Sequence, residues 1–318
     1  MATRDKKIIR RWTLSGDPRG VAVGADGTIY VGLAETQTVV GVDPVSGAIR
    51  KQVVLDSADI AATKELVTLR TNPARNRLYI ANGSDESALI LSLPDLAVLR
   101  EITMEGETIR DVVPDPKGRY VYLLGRRVHV YDKEGRTKLR SLPIAEPMAI
   151  AASANGATLA VFATENFGTA KATSVALYDT ANFSQLARDP LQTDKTIEAA
   201  MFGAGDRSLV AFSRDALFEK FVSARPAQVS SNRVCLPQGS GPQVATLASS
   251  DDTLLVYAER RCSSSTAFPG SPRGVAPASL YGISAYAVAY DPKSSALVAT
   301  DRAGFLTIYN VPRPAVAK

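Results

Sequence analysis

One local pattern recurs seven times along the 318 residues of this chain. A turn of small residues leads into a short apolar strand signal, and successive signals begin at intervals of roughly 40 to 50 residues. The seven signals are Ile29-Tyr30-Val31, Leu78-Tyr79-Ile80, Val121-Tyr122-Leu123, Leu159-Ala160-Val161, Leu209-Val210-Ala211, Leu254-Leu255-Val256 and Leu297-Val298-Ala299. A four-stranded propeller blade has this period, whereas ankyrin and tetratricopeptide repeats are shorter and helical. Because seven such units occupy the whole chain, we expect no separate catalytic domain.

The first unit contains four strand segments. Residues 20–23 form a small-residue inner segment, and residues 28–33, 38–42 and 48–55 follow as apolar segments separated by turns. Gly27 and Gly47 indicate two of these turns, because glycine readily adopts the positive φ that tight hairpins need. Small residues recur on the other inner segments, where strands that converge on a central axis leave little space. We therefore predict an all-β fold: a seven-bladed β-propeller of four-stranded antiparallel blades.

The two ends of the chain predict how the ring closes. After the seventh signal there are enough residues for a third strand at residues 305–310 but not for a regular fourth. Residues 8–14 precede the first inner segment, and we expect this N-terminal strand to complete the last blade and remove an open sheet edge. The chain is then one domain, residues 1–318, with blades at about residues 15–56, 57–104, 105–144, 145–191, 192–237, 238–283, and 284–318 plus 6–14.

The second unit resembles a known repeat. Residues 78–83 (Leu-Tyr-Ile-Ala-Asn-Gly), followed by a strand and then Leu93-Pro94-Asp95, resemble the YVTN-type repeat of bacterial YncE-like and surface-layer propellers. The first unit fits the same scheme, the third follows it more loosely, and units four to six lack the Tyr and Asn. The resemblance implies a usually exported bacterial propeller that acts by binding, with one branch that binds single-stranded DNA.

The start of the chain is compatible with two compartments. Its first residues, MATRDKK, lack the apolar segment of a secretory signal. A full-length chain would be cytoplasmic, whereas a mature chain to which Met1 was added would, by the family resemblance, be periplasmic or exported. No run approaches the roughly 18 apolar residues of a membrane helix, so we expect no membrane span.

The composition does not favour a nucleic-acid partner. The net charge is +5, from 37 Lys and Arg against 32 Asp and Glu, and a nucleic-acid binder more often concentrates its basic residues in a stripe. Aromatic residues make up 7% of the chain, and the single tryptophan, Trp12, belongs to the N-terminal strand. Binding of single-stranded nucleic acid, which needs aromatic stacking platforms beside basic residues, is therefore an alternative interpretation.

The chain offers few catalytic residue patterns. Its single histidine, His129, alternates with valines in a strand and is interpreted as a packing or surface residue. The phosphate-loop, nucleophile-elbow and zincin motifs are absent. Calcium needs only oxygen ligands, and four carboxylates lie near inner-strand starts: Glu65, Asp111, Glu146 and Glu198. A lactonase-like hydrolase with a carboxylate-held cation in the central channel is the enzymatic alternative; otherwise we predict no cofactor and no metal site.

Two segments break the repeat. Residues 225–242 and 260–279 are rich in Ser, Pro, Gly and Arg, and the second is long for a loop in a compact domain. We expect Arg260, Arg261, Phe268 and Arg273 of this second segment to contact a partner, and a flexible insertion without function is the alternative interpretation. Both cysteines, Cys235 and Cys262, lie in these segments and would either form a disulfide in an oxidising compartment or remain unpaired thiols.

Alignment of the units on their apolar signals places one residue of each unit just before the inner strand. These residues are Arg19, Leu66, Arg110, Met148, Glu198, Gln243 and Tyr286. Side chains from every blade converge at this mouth of the channel, so we predict that the five polar members, Arg19, Arg110, Glu198, Gln243 and Tyr286, bind a ligand. The two arginines suit an anionic group, and a solvated rim is the alternative.

The leading functional interpretation is a noncatalytic binding or scaffold propeller. Its partner would be a protein, a peptide or a small ligand recognised at the loop-rich face.

Overall fold

The computed structural model describes residues 7–55, 68–81, 86–167, 170–191, 196–203, 206, 208–212, 216–221, 231–235, 245–247, 255–259, 278–281, 285–291, 293–301 and 303–310. Every regular element within these ranges is a β-strand, which confirms the prediction of an all-β fold. The strands pair into seven sheets, which we number in chain order.

The first four sheets each contain four consecutive antiparallel strands. The first strand, β1 (Lys7–Thr13), belongs to another sheet and is described below. Sheet one contains β2 (Pro18–Val23), β3 (Ile29–Leu33), β4 (Thr38–Val42) and β5 (Ile49–Val54). Sheet two contains β6 (Thr68–Thr71), β7 (Arg77–Ala81), β8 (Ser87–Ser92) and β9 (Val98–Thr103). Sheet three contains β10 (Asp111–Pro114), β11 (Tyr120–Leu124), β12 (Val128–Asp132) and β13 (Lys138–Ser141). Sheet four contains β14 (Pro147–Ala152), β15 (Thr158–Phe167), β16 (Ala170–Asp179) and β17 (Gln185–Leu191).

The remaining strands form three further sheets. Sheet five contains β18 (Ala199–Gly203), β19 (Ser208–Phe212), β20 (Ala216–Phe221) and β21 (Ser231–Cys235). Sheet six contains β22 (Ala245–Leu247), β23 (Leu255–Glu259) and β24 (Ala278–Tyr281). Sheet seven contains β25 (Ala285–Asp291), β26 (Ala296–Asp301) and β27 (Phe305–Asn310).

The N-terminal strand belongs to sheet seven. β1 pairs with β27 in antiparallel register from Lys7–Asn310 to Thr13–Phe305, so sheet seven has the order β1-β27-β26-β25. The predicted pairing of the chain's first strand with its last hairpin is therefore present.

Sheet six departs from the predicted antiparallel meander. Its described strands number three, and β24 runs parallel to β23, with Val256 opposite Ala278. Parallel neighbours need a connection that carries the chain back to the starting end of the sheet. The long segment between these strands provides enough residues for that return, which the local strand pattern did not reveal.

Aspartate and asparagine side chains fold the turns that join the strands. Asp43 Oδ1 accepts hydrogen bonds from the amides of Val45 and Ser46 at 2.7 and 2.8 Å. Asp115 Oδ2 accepts from the amide of Arg119 at 3.0 Å, and Asp291 caps its own turn in the same way. Asx side chains start turns because they replace backbone acceptors locally. Asp43, Asp115 and Asp291, each followed by a proline, therefore have a structural role in these turns.

The hydrophobic core lies between the sheets. The buried apolar residues of the described ranges form five clusters, each shared by two consecutive sheets. Ala22 of sheet one shares a cluster with Leu78 of sheet two, and Val21 shares one with Val298 of sheet seven. These clusters join sheets one to five in chain order, and they join sheet seven to sheet one.

Basic side chains on outermost strands also join neighbouring sheets. They occupy the same register position, and each contacts the turn between the third and fourth strands of the next sheet. The contacts are Lys51 Nζ with Asp95 Oδ1 (3.1 Å), Arg140 Nη1 with Asn182 O (2.7 Å) and Arg10 Nη1 with Pro44 O (2.8 Å). Because Arg10 lies on β1, the N-terminal strand contacts sheet one as other outermost strands contact their neighbours.

Candidate binding face at the starts of the inner strands

The innermost strand of each sheet begins on one face of the molecule, which we call the mouth face. Antiparallel pairing places the end of the second strand beside the start of the first, as in the pairs Pro18–Leu33 and Asp111–Leu124. The loops before the inner strands and the connections from second to third strands therefore share the mouth face. The opposite face, formed by the turns from first to second strands, is the turn face.

Two predicted ligand-binding residues contact each other on the mouth face. The Arg19 guanidinium lies 4.7 Å from the centroid of the Tyr286 ring, which joins the starts of β2 and β25. Asp17 Oδ2 accepts hydrogen bonds from Arg19 Nε at 3.0 Å and pairs with Nη2 at 2.9 Å. The Arg19 carbonyl accepts a hydrogen bond from the hydroxyl of Thr300 in sheet seven. Arg19 thus holds sheets one and seven together while its side chain keeps partial exposure.

Arg110, the third residue predicted to bind a ligand at the mouth of the channel, forms hydrogen bonds with backbone carbonyls. Its Nη2 donates to the carbonyl of Gly125 at 2.7 Å and to the carbonyl of Pro147, the first residue of β14. Desolvation lowers the pKa of Arg110 by more than Asp111 and Glu107 raise it. The structure therefore gives Arg110 a contact between sheets three and four, apart from the Arg19–Tyr286 contact.

Sequence reasoning missed an ion pair between sheets two and three. Arg70 Nε and Nη2 donate to Asp111 Oδ1 and Oδ2 at 3.0 and 2.8 Å, and Oδ1 also accepts from the amide of Val112 at 2.8 Å. Desolvation lowers the pKa of Arg70, but the charge and hydrogen bonds of Asp111 raise it by more. The sequence did contain a signal, since Arg70 stands at a register position where Ala22 and Ala151 stand in sheets one and four.

The single histidine lies inside sheet three. His129 is 2% exposed, and its Nδ1 lies 2.8 Å from Ser141 Oγ while its Nε2 lies 3.1 Å from both Glu107 oxygens. Burial lowers the pKa of His129 by more than Glu107 raises it. Burial also raises the pKa of Glu107, but hydrogen bonds from His129 and the Arg127 amide lower it by more. Serine, histidine and carboxylate are the types of a hydrolytic triad, yet this imidazole is enclosed and both of its nitrogens are bound.

The predicted calcium ligands are dispersed. Both Asp111 oxygens are bound by Arg70, Glu146 and Glu198 are exposed, and Glu65 lies outside the described residues. Over the described part of the chain, no group of three or more His, Cys, Asp or Glu residues has the arrangement of a metal site.

Several predicted contact residues fall outside the described ranges. They are Gln243, Arg260, Arg261, Cys262, Phe268 and Arg273. Cys235 is the last residue of β21, but Cys262 lies outside the described residues, so neither the disulfide nor the unpaired alternative is tested.

Sheet four extends further than sheet one on the mouth face. In sheet one, the last pair between the second and third strands is Leu33–Thr38, and the equivalent pair in sheet four is Ala163–Ser174. β15 and β16 continue to pair beyond this point, from Thr164–Thr173 to Phe167–Ala170. These four additional rungs extend the hairpin by about 13 Å. We call residues 164–167 and 170–173 the arm. The arm was not predicted from the sequence, although the interval from Leu159 to the next apolar signal is the longest of the six.

Side-chain and backbone contacts fix the base of the arm. Thr164 donates from its amide to the Glu146 carbonyl at 3.2 Å and from its hydroxyl to Met148 Sδ at 3.4 Å. On the other side, Glu165 Oε1 accepts from Arg188 Nε at 2.6 Å. The arm is therefore held against both the inner strand β14 and the outermost strand β17.

Comparison with solved structures identifies the fold. The chain is similar to the β-propeller domain of Cps50 (Swd1) from Myceliophteria thermophila, with a TM-score of 0.70, 14% identity, and coverage of 97% of this chain and 100% of that one. It is also similar to hydrazine synthase from Kuenenia stuttgartiensis, with a TM-score of 0.66, 13% identity, and coverage of 96% and 98%. No family model and no curated protein matches the sequence. The chain has a β-propeller fold.

The described residues contain no helix that is long and apolar enough to cross a membrane.

Proposed function

We propose that this protein is a noncatalytic β-propeller that binds a protein or peptide partner at its mouth face. The observation that carries the proposal is the arm of sheet four. Its four rungs lie beyond the inter-sheet core, while ordering each residue costs about 1–2 kcal/mol of backbone conformational entropy. None of the arm residues whose side chains the structure describes belongs to an apolar cluster between sheets, so a contact outside the fold accounts for the arm best.

The contacts of the polar groups support a noncatalytic role. Arg70 and Asp111 neutralise each other, Arg110 donates to backbone carbonyls, and the imidazole of His129 is enclosed. A general acid or base must reach the proton that it transfers, and these groups are engaged within the protein. Arg19, Tyr286, Glu198 and Gln243 remain the proposed contact residues around the channel, together with Arg260, Arg261, Phe268 and Arg273.

The finer architecture is also a proposal. The seven sheets would be the seven blades of a closed ring, at the boundaries expected from the sequence, in a bacterial YVTN/YncE-like chain. Contacts between consecutive inner strands support closure, including β18 with β22, β22 with β25 and β25 with β2. The coverage of the Swd1 propeller domain over its whole length agrees with a ring-shaped fold.

Shortening the arm tests the function. Residues 164–173 are replaced by Asn-Gly, which joins Ala163 to Ser174 through a two-residue hairpin turn. Each immobilised variant is incubated with an extract of the cells that produce the protein, and the captured proteins are quantified by mass spectrometry. Because the replacement keeps every residue of the described apolar clusters, we expect native circular dichroism together with at least tenfold lower capture of a partner that the wild type retains in stoichiometric amount.

Lys117→Gln on the turn face is the matched control and should capture the partner as the wild type does. Equal capture by the wild type and the shortened variant would refute the proposed mouth-face binding. Stoichiometric calcium in the purified protein would instead support the lactonase-like alternative. A salt-dependent shift of single-stranded oligonucleotides would favour the nucleic-acid alternative.

A further inference from the structure

A groove on the turn face lies where sheets two and three meet, opposite the mouth face. It has a volume of about 240 Å³, which is slightly smaller than the roughly 300 Å³ at which pockets for drug-sized ligands begin. Its walls come from the turn after β6, from the end of β10 and from the turn between β12 and β13. The groove is therefore bounded by three separate segments.

The apolar part of the groove is aromatic. Tyr79 is 3% exposed, and burial raises the pKa of its hydroxyl. Tyr120 lines the groove and packs edge-on against Phe183, with 5.2 Å between ring centroids and an interplanar angle of 65°. Tyr120, held by a further ring, provides the main wall for a small apolar body, and Tyr79 contributes only the small part of its ring that is not buried in the core.

The acceptors at the groove are already occupied. Glu134 accepts from Arg77 Nη2 at 2.9 and 3.2 Å, and the enclosed Asp115 accepts from Arg119 Nε at 2.9 Å. Asn72 Oδ1 accepts from the amides of Asn76 and Arg77 at 3.1 and 3.2 Å. Each carboxylate is thus neutralised by an arginine.

Two donors at the groove have no partner within the described residues. The Lys133 ammonium makes no hydrogen bond or ion pair there, although its carbonyl accepts from Arg77 Nη1 at 3.3 Å. Asn76 accepts from Asn72 Nδ2 at 2.8 Å through its Oδ1, but its own Nδ2 donates to no described residue. With both carboxylates neutralised, Lys133 leaves the groove with one uncompensated positive charge.

We infer that this groove binds a small organic carboxylate with an apolar body, as a site separate from the mouth face. The carboxylate accepts charge-assisted hydrogen bonds from Lys133 Nζ and Asn76 Nδ2. The body of the ligand lies against Tyr79 and Tyr120. A neutral molecule of the same shape lacks the charge that Lys133 recognises.

Isothermal titration calorimetry at low ionic strength tests this site, with benzoate as the probe and benzyl alcohol as its neutral counterpart. We expect one saturable benzoate site and binding of benzyl alcohol that is at least fivefold weaker. Lys133→Gln should weaken benzoate binding about fivefold, as expected for loss of one charge-assisted hydrogen bond at a partly open site. Asn76→Asp, which keeps the acceptor for Asn72 but places a negative charge in the groove, should abolish binding.

Lys117→Gln is the control, because it removes the same charge from the same face without altering the groove lining. Circular dichroism of each variant confirms that it is folded. Equal weakening by Lys133→Gln and Lys117→Gln, binding of benzyl alcohol as tight as that of benzoate, or no saturable benzoate site would each overturn the inference. Because the arm lies on the opposite face, none of these results bears on partner binding there.

Discussion

At the scale of single residues, Gly47 is the position where a methyl group is most damaging. Its φ is +75°, and a Cβ atom there would overlap the indole of Trp12. Gly135 in sheet three has the same arrangement, with Ile102 of sheet two in place of Trp12. We expect Gly47→Ala to lower the free energy of unfolding by about 2–4 kcal/mol, from backbone strain and overpacking together.

Gly106→Ala separates these two causes. Gly106 has a φ of +71° with nothing within 4 Å of a Cβ atom. Gly106→Ala should therefore lower the free energy of unfolding through backbone strain alone, by about 1 kcal/mol. Equilibrium unfolding in urea measures both variants. Similar losses at the two positions would mean that the Trp12 contact does not restrict position 47.

His129 gives the stability of the protein a pH dependence with a definite sign. Burial lowers the pKa of the folded-state imidazole, Glu107 raises it by less, and Lys138 and Arg127 lower it further. The unfolded chain, with a histidine pKa of about 6.5, therefore binds a proton at pH values where the native state does not. The stabilisation is fully present above pH 6.5 and is lost as the pH falls towards the folded-state pKa.

Urea unfolding of wild type and His129→Gln at pH 7 and pH 5 tests this linkage. The wild type should lose more stability than the variant between these two values. Carboxylates with lowered pKa values, such as Asp43 with a pKa of about 2, contribute only below about pH 4 and do not interfere. An equal loss in the two proteins would exclude His129 as the source.

Which residues were predictable depends on how local their contacts are. The hydrogen bonds of Asp43, Asp115 and Asn72 to turn amides span at most five positions, a range that a local sequence pattern can indicate. Arg70 and Asp111 are 41 positions apart, and their pairing depends on how two sheets pack. Arg110 was correctly placed at a strand start, but no local pattern indicated that its guanidinium would contact the Pro147 carbonyl.

At the scale of elements, β1 behaves as an outermost strand of sheet seven. Arg11 lies 3.7 Å from the Phe305 ring centroid, and Trp12 pairs with the fully buried Leu306. Because Trp12 is the only tryptophan, its fluorescence reports the state of β1 directly. We expect its unfolding transition in urea to coincide with that of far-ultraviolet circular dichroism, since β1 shares a core cluster with sheet one.

Leu306→Ala should move both transitions together and cost about 2–5 kcal/mol, because it opens a cavity beside Trp12. Leu99→Ala on β9, where the side chain is 47% exposed, is the control and should cost less than about 0.5 kcal/mol. A fluorescence transition at lower urea than the circular dichroism transition would show that β1 detaches independently.

Strands were easier to predict than their partners and lengths. Alternating apolar residues and glycine turns indicated the hairpins of sheets one to three, because these signals lie within about ten residues. The parallel direction of β24 was not predictable, since strand direction is set by a connection rather than by the strand's own pattern. The arm was missed because its sequence between Thr164 and Thr173 is mostly polar and therefore carries a weak hydrophobic signal.

At the scale of the whole molecule, one ion pair connects sheets that are not consecutive. Arg75 Nη1 of sheet two lies 2.8 Å from Asp291 Oδ1 of sheet seven, across the first turn of sheet one. That turn is held from both sides, since Ala25 donates its amide to the Arg75 carbonyl at 3.2 Å and accepts from Lys293 Nζ at 2.6 Å. Three sheets are thereby joined on the turn face.

A double-mutant cycle with Arg75→Gln and Asp291→Asn measures this connection. The two side chains are 17% and 10% exposed, so we expect a coupling energy of about 1–2 kcal/mol in urea unfolding. The control cycle uses Lys51 and Asp95, which are 53% and 68% exposed and should couple by less than about 0.5 kcal/mol. Asparagine at 291 keeps only one of the two oxygens that accept from the Lys293 and Ser294 amides, but this loss occurs with and without Arg75 and cancels in the cycle.

The Arg75–Asp291 coupling should also disappear in acid. Desolvation raises the pKa of Asp291, but hydrogen bonds from Ser294 and Arg75 lower it by more. A carboxylate with a lowered folded-state pKa stabilises the protein above its unfolded value of about 3.9, and this contribution is lost as the pH falls through the folded-state pKa. Coupling that is equal in the two cycles at pH 7, or unchanged in strong acid, would show that sheets two and seven are held together by packing on sheet one alone.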